Sequence, residues 1–417
     1  MAAVEGANEA TFREVLAVGE FRAMWLAEML SFAGDQFARV ALVVLVFDHT
    51  NSAAIAGLTY ALTLVPSVIG ALTLSQLADR RSRRQVIVFV DALRALVVAV
   101  MVIPGIGLSW LCVLVSALSF VGGPYGAAQL ALLRDLLGAE RYPVGMTLRQ
   151  ITAQAAQIAG FAAGGFLSAA LSPQICLAVN ALTFAVSALV MRLCIRSRPV
   201  SESLSSTGSP VTTGVRLVWQ DPRRRAIFAM TFLGLFYVVP EGIAVSYVNE
   251  MGYRPEFVGI VLASCGVGAV ILLPLFAWFV APDRQRVALP ILCLTTGLPL
   301  VLVPFCRELY SAMALFAVSG ALWAASVVMS ASFLAKLLPD DHRSRGMGIA
   351  SSMNVTAQGL GIGLAGIGAE AVTASWAIAI AGAISVPAAL WSSILWLKST
   401  SSHLLAEIEG CPVTLSR

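Results

Sequence analysis

Stretches of about 20 mainly apolar residues, the length needed to cross a hydrocarbon core, recur along nearly the whole chain. Of its 417 residues 58% are hydrophobic and only 12% are charged, against about 25% charged in ordinary soluble domains. That leaves too little polar surface to coat soluble domains of this total length. Soluble enzymes and nucleic-acid binders are excluded, and an all-α membrane protein is expected, because a helix satisfies its own backbone in lipid.

The apolar pattern predicts twelve transmembrane helices, over 22–47, 53–77, 86–106, 109–133, 145–170, 173–195, 225–248, 256–280, 287–305, 309–335, 346–369 and 373–397. The fifth and eleventh are the least hydrophobic. A Ser/Thr/Arg-rich stretch, 196–224, separates a six-helix half over 1–195 from a second over 225–417 that ends in a short tail. With the N-terminus in the cytoplasm, most of the 27 basic residues fall in loops on that side, and Arg254 and Arg307 fall opposite. Positive-inside sorting produces this asymmetry, so both termini are expected in the cytoplasm of an inner or plasma membrane. The halves also resemble each other. Asp79-Arg80 and Asp283-Arg284 are separated by the same interval as Gln154 and Gln358. Each pair falls in equivalent places of a six-plus-six layout, the parallel repeat of secondary transporters.

Several chemistries find no support. Lys336 and Lys398 are the lysines, neither follows a glycine, and no phosphate-cradling GxxxxGK[ST] loop exists. No nucleophile–base spacing or metal-ligand cluster is present, and no cofactor or metal is expected. Cys112, Cys176, Cys194, Cys265, Cys293 and Cys306 lie in apolar stretches without a CxxC pair and read as small core residues. His49, His342 and His403 fall in loops or the tail. The first twenty residues lack a basic-then-apolar cleavage pattern, so no removable signal peptide is expected.

The loop after the second span, Ser75-Gln-Leu-Ala-Asp79-Arg80-Arg81-Ser82-Arg83-Arg84, resembles the signature loop of the major facilitator superfamily, usually written GxLaDrxGrk, with serines at both glycine positions. Phe21-Arg22-Ala-Met-Trp25, Ser31-Phe-Ala-Gly34-Asp35, Val90-Asp91-Ala-Leu-Arg94-Ala95 and His342-Arg343-Ser-Arg345-Gly346 resemble its drug and siderophore exporter branch. Gly160-Phe161-Ala-Ala-Gly164-Gly165 is similar to that branch's glycine-rich stretch, with Phe161 where a proline is often found. The resemblance covers nearly the whole chain. It implies the major facilitator fold, alternating access, and export of an amphipathic organic compound driven by inward proton movement.

Ionisable groups within spans cost about 2.5–3.5 kcal/mol each on insertion scales, so each is a functional candidate. Glu28, Asp35 and Arg39 share one face of the first span. Asp35 is a candidate proton or substrate carrier balanced by Arg39, and the competing reading is a permanent Asp35–Arg39 bridge that only stabilises packing. Glu28 is a second candidate and could instead hold Arg149. Pro240 should kink the seventh span and place Glu241 at a gate or a cation contact, although Glu241 could equally be a water-facing charge. Polar stripes mark candidate cavity walls or interhelical hydrogen bonds: Thr63 in the second span, Gln150, Gln154 and Gln157 in the fifth, Asn354 and Gln358 in the eleventh. Trp323 and Tyr237 are candidate aromatic platforms. Asp79 and Arg80 form a candidate inward latch, for which the resemblance suggests the eleventh span as partner. Arg83 or Arg84 could pair with Asp91 or Asp135, and Arg94 is counted with this gating set; solvated topology determinants are the alternative. Gly160 and Gly164 should permit close helix packing.

The expected partners are a small-molecule substrate, protons as coupling ion and the lipid bilayer, with no nucleic acid and a single chain as the working unit. Uptake or lipid movement by the same fold is one alternative. A transport-inactive sensor or scaffold is another.

Overall fold

A computed structural model describes residues 11–79, 81–198, 220–279, 284–338 and 343–408. All regular structure among them is helical. In chain order the helices are α1 (Phe12–Ala17), α2 (Gly19–Thr50), α3 (Ala53–Leu62), α4 (Val65–Asp79), α5 (Arg83–Met101), α6 (Leu108–Ala170), α7 (Pro173–Cys194), α8 (Pro222–Phe232), α9 (Gly234–Tyr237), α10 (Val239–Gly242), α11 (Ala244–Glu250), α12 (Glu256–Phe279), α13 (Gln285–Thr296), α14 (Leu298–Val301), α15 (Leu309–Leu337), α16 (Arg343–Ala371) and α17 (Ala374–Ile408). Most of the 196–224 stretch, Arg80, the Asp79 side chain, Asp283 and His342 lie outside the described residues.

Eight helical stretches are long and apolar enough to cross a membrane: Gly19–Thr50, Ala53–Leu74, Leu108–Gly138, Pro173–Cys194, Pro222–Gly242, Gln285–Phe305, Leu309–Leu337 and Ala374–Thr400. The chain is a multi-pass membrane protein. Leu182, Leu189 and Leu193 stand exposed on α7, and Leu360, Leu364 and Ile367 on α16. In water such apolar faces would be a liability, but against acyl chains they are the solvent-matched surface.

Local departures from regular helix follow from particular residues. Pro66, at the second position of α4, removes an amide donor and crowds the carbonyl four residues back, and the helix breaks at Thr63-Leu64. The expected span 53–77 is therefore two helices. Gly138 adopts φ 68°, a left-handed value that side chains disfavour, and bends α6 where a loop between the fourth and fifth spans was expected. Residues 222–250 form four short helices, α8 to α11, with Pro240 in the middle, so the predicted kink is an extended interruption.

The contacts divide the chain into two units. The first holds residues 1–49, 62–203 and 255–263; the second holds 50–61, 204–254 and 264–417. In the first unit an apolar cluster at one end gathers Val15, Phe21, Met24, Ile87, Leu133 and Met191 from five helices. Small residues set the spacing elsewhere. A Cβ on Gly160 would lie 2.7 Å from the Ala33 carbonyl oxygen, and one on Gly164 would lie 2.7 Å from Phe37 Cα. The second half of α6 thus packs backbone-close on α2, as expected from the sequence. In the second unit Gly57 on α3 and Gly366 on α16 play the same part: a Cβ on either would fall within 3.1 Å of the other helix's backbone.

Candidate functional site

The first unit brings its buried charges together. Asp35 stands at the middle of the unbroken 32-residue α2. Asp91 and Arg94, three residues apart and so on one face of α5, point the same way. Arg94 Nη1 lies 3.8 Å from Asp35 Oδ2. Its guanidinium carbon sits 5.3 Å from the Tyr125 ring centroid on α6 and 4.9 Å from the Phe184 ring centroid on α7. Cation–π attraction is strongest when the cation is desolvated, about 2 kcal/mol, and the two rings hold the guanidinium within the helix bundle. Gly122 makes the room, since a Cβ there would lie 3.1 Å from Arg94 Cζ. Gly34 does the same beside Asp35, where a Cβ would lie 2.7 Å from Asn180 Oδ1.

Asp91 is fully buried; Ser187 donates to its Oδ2 at 2.6 Å and Tyr125 at 3.4 Å. Its Oδ1 and Arg94 Nε have no hydrogen-bond partner among the described residues. Glu28 forms the neighbouring pair. Arg149 Nε donates to Glu28 Oε1 at 2.6 Å, and Arg149 Nη2 donates to Gln129 Oε1 at 3.0 Å. Glu28 Oε2 and Gln129 Nε2 are also buried without partners. Buried polar atoms left unmatched cost about 1–3 kcal/mol each, so the network is held together at a cost.

This arrangement differs from the sequence expectation in two respects. The ion pair of Asp35 is with Arg94 from another helix rather than with Arg39 one turn away. Asp91 and Arg94, grouped with the gate, lie instead beside Asp35. Of the gate residues, Arg83 pairs with Asp135 and also donates to the Ala131 carbonyl at 3.3 Å, while Arg84 caps the Arg192 carbonyl at the end of α7. Tyr125, Gln129, Phe184, Ser187 and Gly122 were not singled out from the sequence. The available signal was the three-residue spacing of Phe184 and Ser187, which matches that of Asp91 and Arg94.

The second unit assembles uncharged candidates. Asn354, Gln358 and Trp323 converge on Gly234, where a Cβ would lie 2.7 Å from Asn354 Oδ1, 3.1 Å from Trp323 Cζ2 and 3.6 Å from Gln358 Cγ. Trp323 packs on Tyr237 at 5.0 Å between centroids, and Tyr237 donates to the Cys293 carbonyl at 2.5 Å. Asn354 Oδ1 is buried without a partner among the described residues. Glu241, on the interrupted stretch, accepts from Tyr60 at 3.3 Å. In the first unit Thr63 falls at the α3–α4 break, Gln154 and Gln157 are half-buried on α6, and Gln150 is exposed.

The sequence model described as the Major Facilitator Superfamily matches residues 24–330 and, in a second placement, 242–414. The chain belongs to the Major Facilitator Superfamily. Its curated relatives include the multidrug efflux pump Tap of Mycolicibacterium fortuitum, 26% identical over 373 residues, which cover 83% of this chain and 88% of that protein. The same-named pump of Mycobacterium bovis BCG is 25% identical over 82% of this chain and 84% of its own length. Among solved structures, the nucleoside transporter NupG aligns with a TM-score of 0.73 at 14% identity, covering 90% of this chain and 99% of that one. A POT family transporter in complex with 5-aminolevulinic acid aligns at 0.77 and 11% identity, covering 94% and 98%. Both solved structures are similar in fold.

In this Major Facilitator Superfamily member the embedded acids and bases of the first unit, Glu28, Asp35, Asp91, Arg94 and Arg149, come from α2, α5 and the second part of α6, with uncharged partners from the first part of α6 and from α7. An Arg shared by two carboxylates can carry out charge exchange that a sealed one-to-one pair cannot. If Arg94 balances one of Asp35 and Asp91, the other can take up or release a proton with no second cation to move.

Proposed function

We propose that the chain is a proton-coupled exporter of amphipathic organic compounds. It has twelve spans in two six-helix halves joined by 196–224, and works by alternating access in an inner or plasma membrane with both termini in the cytoplasm. The observation that carries the reading is Arg94, wedged between two aromatic rings with Asp35 at 3.8 Å and Asp91 one helical turn away on α5. Asp35 loads a proton when its side of the protein is open to water, and Arg94 then favours Asp91. Deprotonation returns Arg94 to Asp35. Glu28 and Arg149 form a second pair that shifts with the first, with Arg39 adding to the field along α2. Trp323, Tyr237, Asn354 and Gln358 contact the apolar and polar parts of the cargo, and Glu241 attracts a cationic group. Thr63, Gln150, Gln154 and Gln157 line the path on the other half. The loop residues Asp79, Arg80, Arg83 and Arg84, with Asp135, latch the inward gate. The similarity to mycobacterial proteins named as multidrug efflux pumps supports drug-like cargo and the outward direction.

The test is substrate-dependent proton flux in proteoliposomes, run over a panel of amphipathic cations and neutral drugs. Wild type moves protons with at least one compound. Asp35→Asn and Asp91→Asn each reduce that flux by at least tenfold while still binding the compound. Unchanged flux in both variants overturns the coupling assignment, and absence of flux across the panel favours a scaffold.

A further inference from the structure

Residues 50–61 stand apart from their neighbours in sequence. By chain order they belong with 1–195, yet their contacts place them in the second unit. The chain changes unit on either side of α3, and each change falls at a break in helix geometry. Asn51 adopts φ 49°, a left-handed value that Asn tolerates better than most residues. Thr63-Leu64 interrupts the helix ahead of Pro66. A few residues at the ends of elements are where hinges absorb large backbone rotations.

Between these joints α3 has only ten residues, and a helix that short is marginal unless something holds it. Its face toward α16 is made of small residues. A Cβ on Gly366 would lie 2.7 Å from the Ala53 carbonyl oxygen, and one on Gly363 would lie 3.9 Å from Ala61 Cβ. Such a face allows close approach and offers little side-chain interlock to oppose separation. The polar tie sits at the start of the helix. The Ser52 hydroxyl donates to Glu370 Oε1, and the Ala54 amide donates to the same oxygen at 3.2 Å. Ser52 Oγ in turn accepts from the Ile55 amide at 3.1 Å, and its carbonyl accepts from the Ala56 amide at 3.2 Å. A carboxylate carried by α16 thus completes the N-cap of α3, at the end where the helix dipole favours negative charge. Glu370 is exposed, so its charge stays hydrated whether or not α3 is seated, and release strands no ion in hydrocarbon. Further along, Tyr60 supplies a second tie by donating to Glu241 at 3.3 Å.

We infer that α3 is a gate segment that swings off α16 on its own two joints when the protein opens on that side, and that Glu370 is the positioning residue that seats it. The inference rests on the alternating-access reading above. It adds a local motion of residues 52–62 that α4 does not share.

The full-length Ala61→Cys/Gly363→Cys protein is reconstituted and oxidised with copper phenanthroline, and the 61–363 disulfide is timed by peptide mass spectrometry, its Cβ spacing being right for that bond. With Glu370 present the bond forms readily. Glu370→Ala slows it about fivefold, whereas Glu370→Gln, whose amide oxygen still accepts from Ser52 and Ala54, keeps at least half the rate. Hydrogen exchange reads the motion without cargo: Glu370→Ala speeds exchange about fivefold over 52–62 and leaves 65–74 unchanged. The oxidised protein stops exporting a compound that the reduced protein moves, and dithiothreitol restores export. An unchanged rate in Glu370→Ala, an equal rise in exchange over both segments, or export that survives oxidation would overturn the gate alone. Export absent before oxidation would overturn the transport reading and the gate with it.

Discussion

The two units handle polarity in membrane-spanning helices in opposite ways. In the first, Glu28, Asp35, Asp91, Arg94 and Arg149 are drawn into one network by long helices, with α2 unbroken through 32 residues. In the second, the stretch 222–250 is interrupted around Pro240, and the candidate contacts are aromatic rings and amides, with Glu241 as the charged member. Continuous helices fix the distance between opposite charges, which matters because an ion in hydrocarbon is tolerated only beside its partner. An interrupted stretch with uncharged contacts can change shape without stranding a charge. On the proposed function, energy coupling falls to the first unit and cargo accommodation to the second.

That contrast can be broken first at Arg94. Arg94→Ala leaves the fully buried Asp91 and the half-buried Asp35 without their cation, and a loss of about 3 kcal/mol is expected. Tyr60→Phe, which removes the donor to Glu241 in the second unit, should cost about 1 kcal/mol or less. Reversible unfolding in mixed micelles compares the two, and equal losses would erase the distinction between the units. A smaller effect is expected at Gly164. Gly164→Val drives a side chain into α2, where the Phe37 backbone is already within 2.7 Å of a Cβ, and overpacking of this kind costs about 1–3 kcal/mol. The melting temperature should fall while the Arg94–Asp35 pairing survives.

Asn354→Leu sharpens the comparison from the other side. It removes a buried carbonyl that has no partner among the described residues, so stability should hold or rise slightly. If Asn354 meets cargo, the apparent KM for an exported compound should increase about five- to tenfold, the equivalent of about 1–1.5 kcal/mol, with proton stoichiometry unchanged. The smallest effect concerns Asp221, outside the spans. Partial burial pushes its carboxyl up, but hydrogen bonds from the Arg223 side chain and amide, with the charge of Arg224, outweigh burial and hold it below the usual carboxylate value. A depressed folded value means its contribution is present above about pH 3.9 and is lost as pH falls through the folded value. Asp221→Ala should cost about 1 kcal/mol at neutral pH and progressively less in acid, read from unfolding midpoints across pH.

Much of the fold was legible because lipid imposes a simple rule of length and apolarity on each span. The glycine contacts of Gly160 and Gly164 and the disruption at Pro240 were also readable from a small-residue spacing and one strong backbone preference, and the interhelical pair of Glu28 with Arg149 matches one of the two readings open for Glu28. The pairing of Asp35 with Arg94 was not. Periodicity puts Arg39 on the face of Asp35, but it carries no information on which face of α5 packs there, and the room that Gly122 leaves for the Arg94 side chain is visible only in the fold. The position of Thr63 went astray for a related reason: a proline three residues on breaks a helix whose apolar pattern runs straight through it, whereas the kink at Gly138 falls between the fourth and fifth expected spans.

The assignment of coupling to one unit and cargo to the other is tested most directly by counting protons released when the purified protein binds a compound that wild type exports. A pH-sensitive dye in weak buffer reads the release, alongside affinity. Asp35→Asn should bind the compound with little change and release no proton, whereas Trp323→Ala should bind more weakly and release the same number per molecule bound. Release retained in Asp35→Asn, or lost in Trp323→Ala at saturating compound, would contradict it.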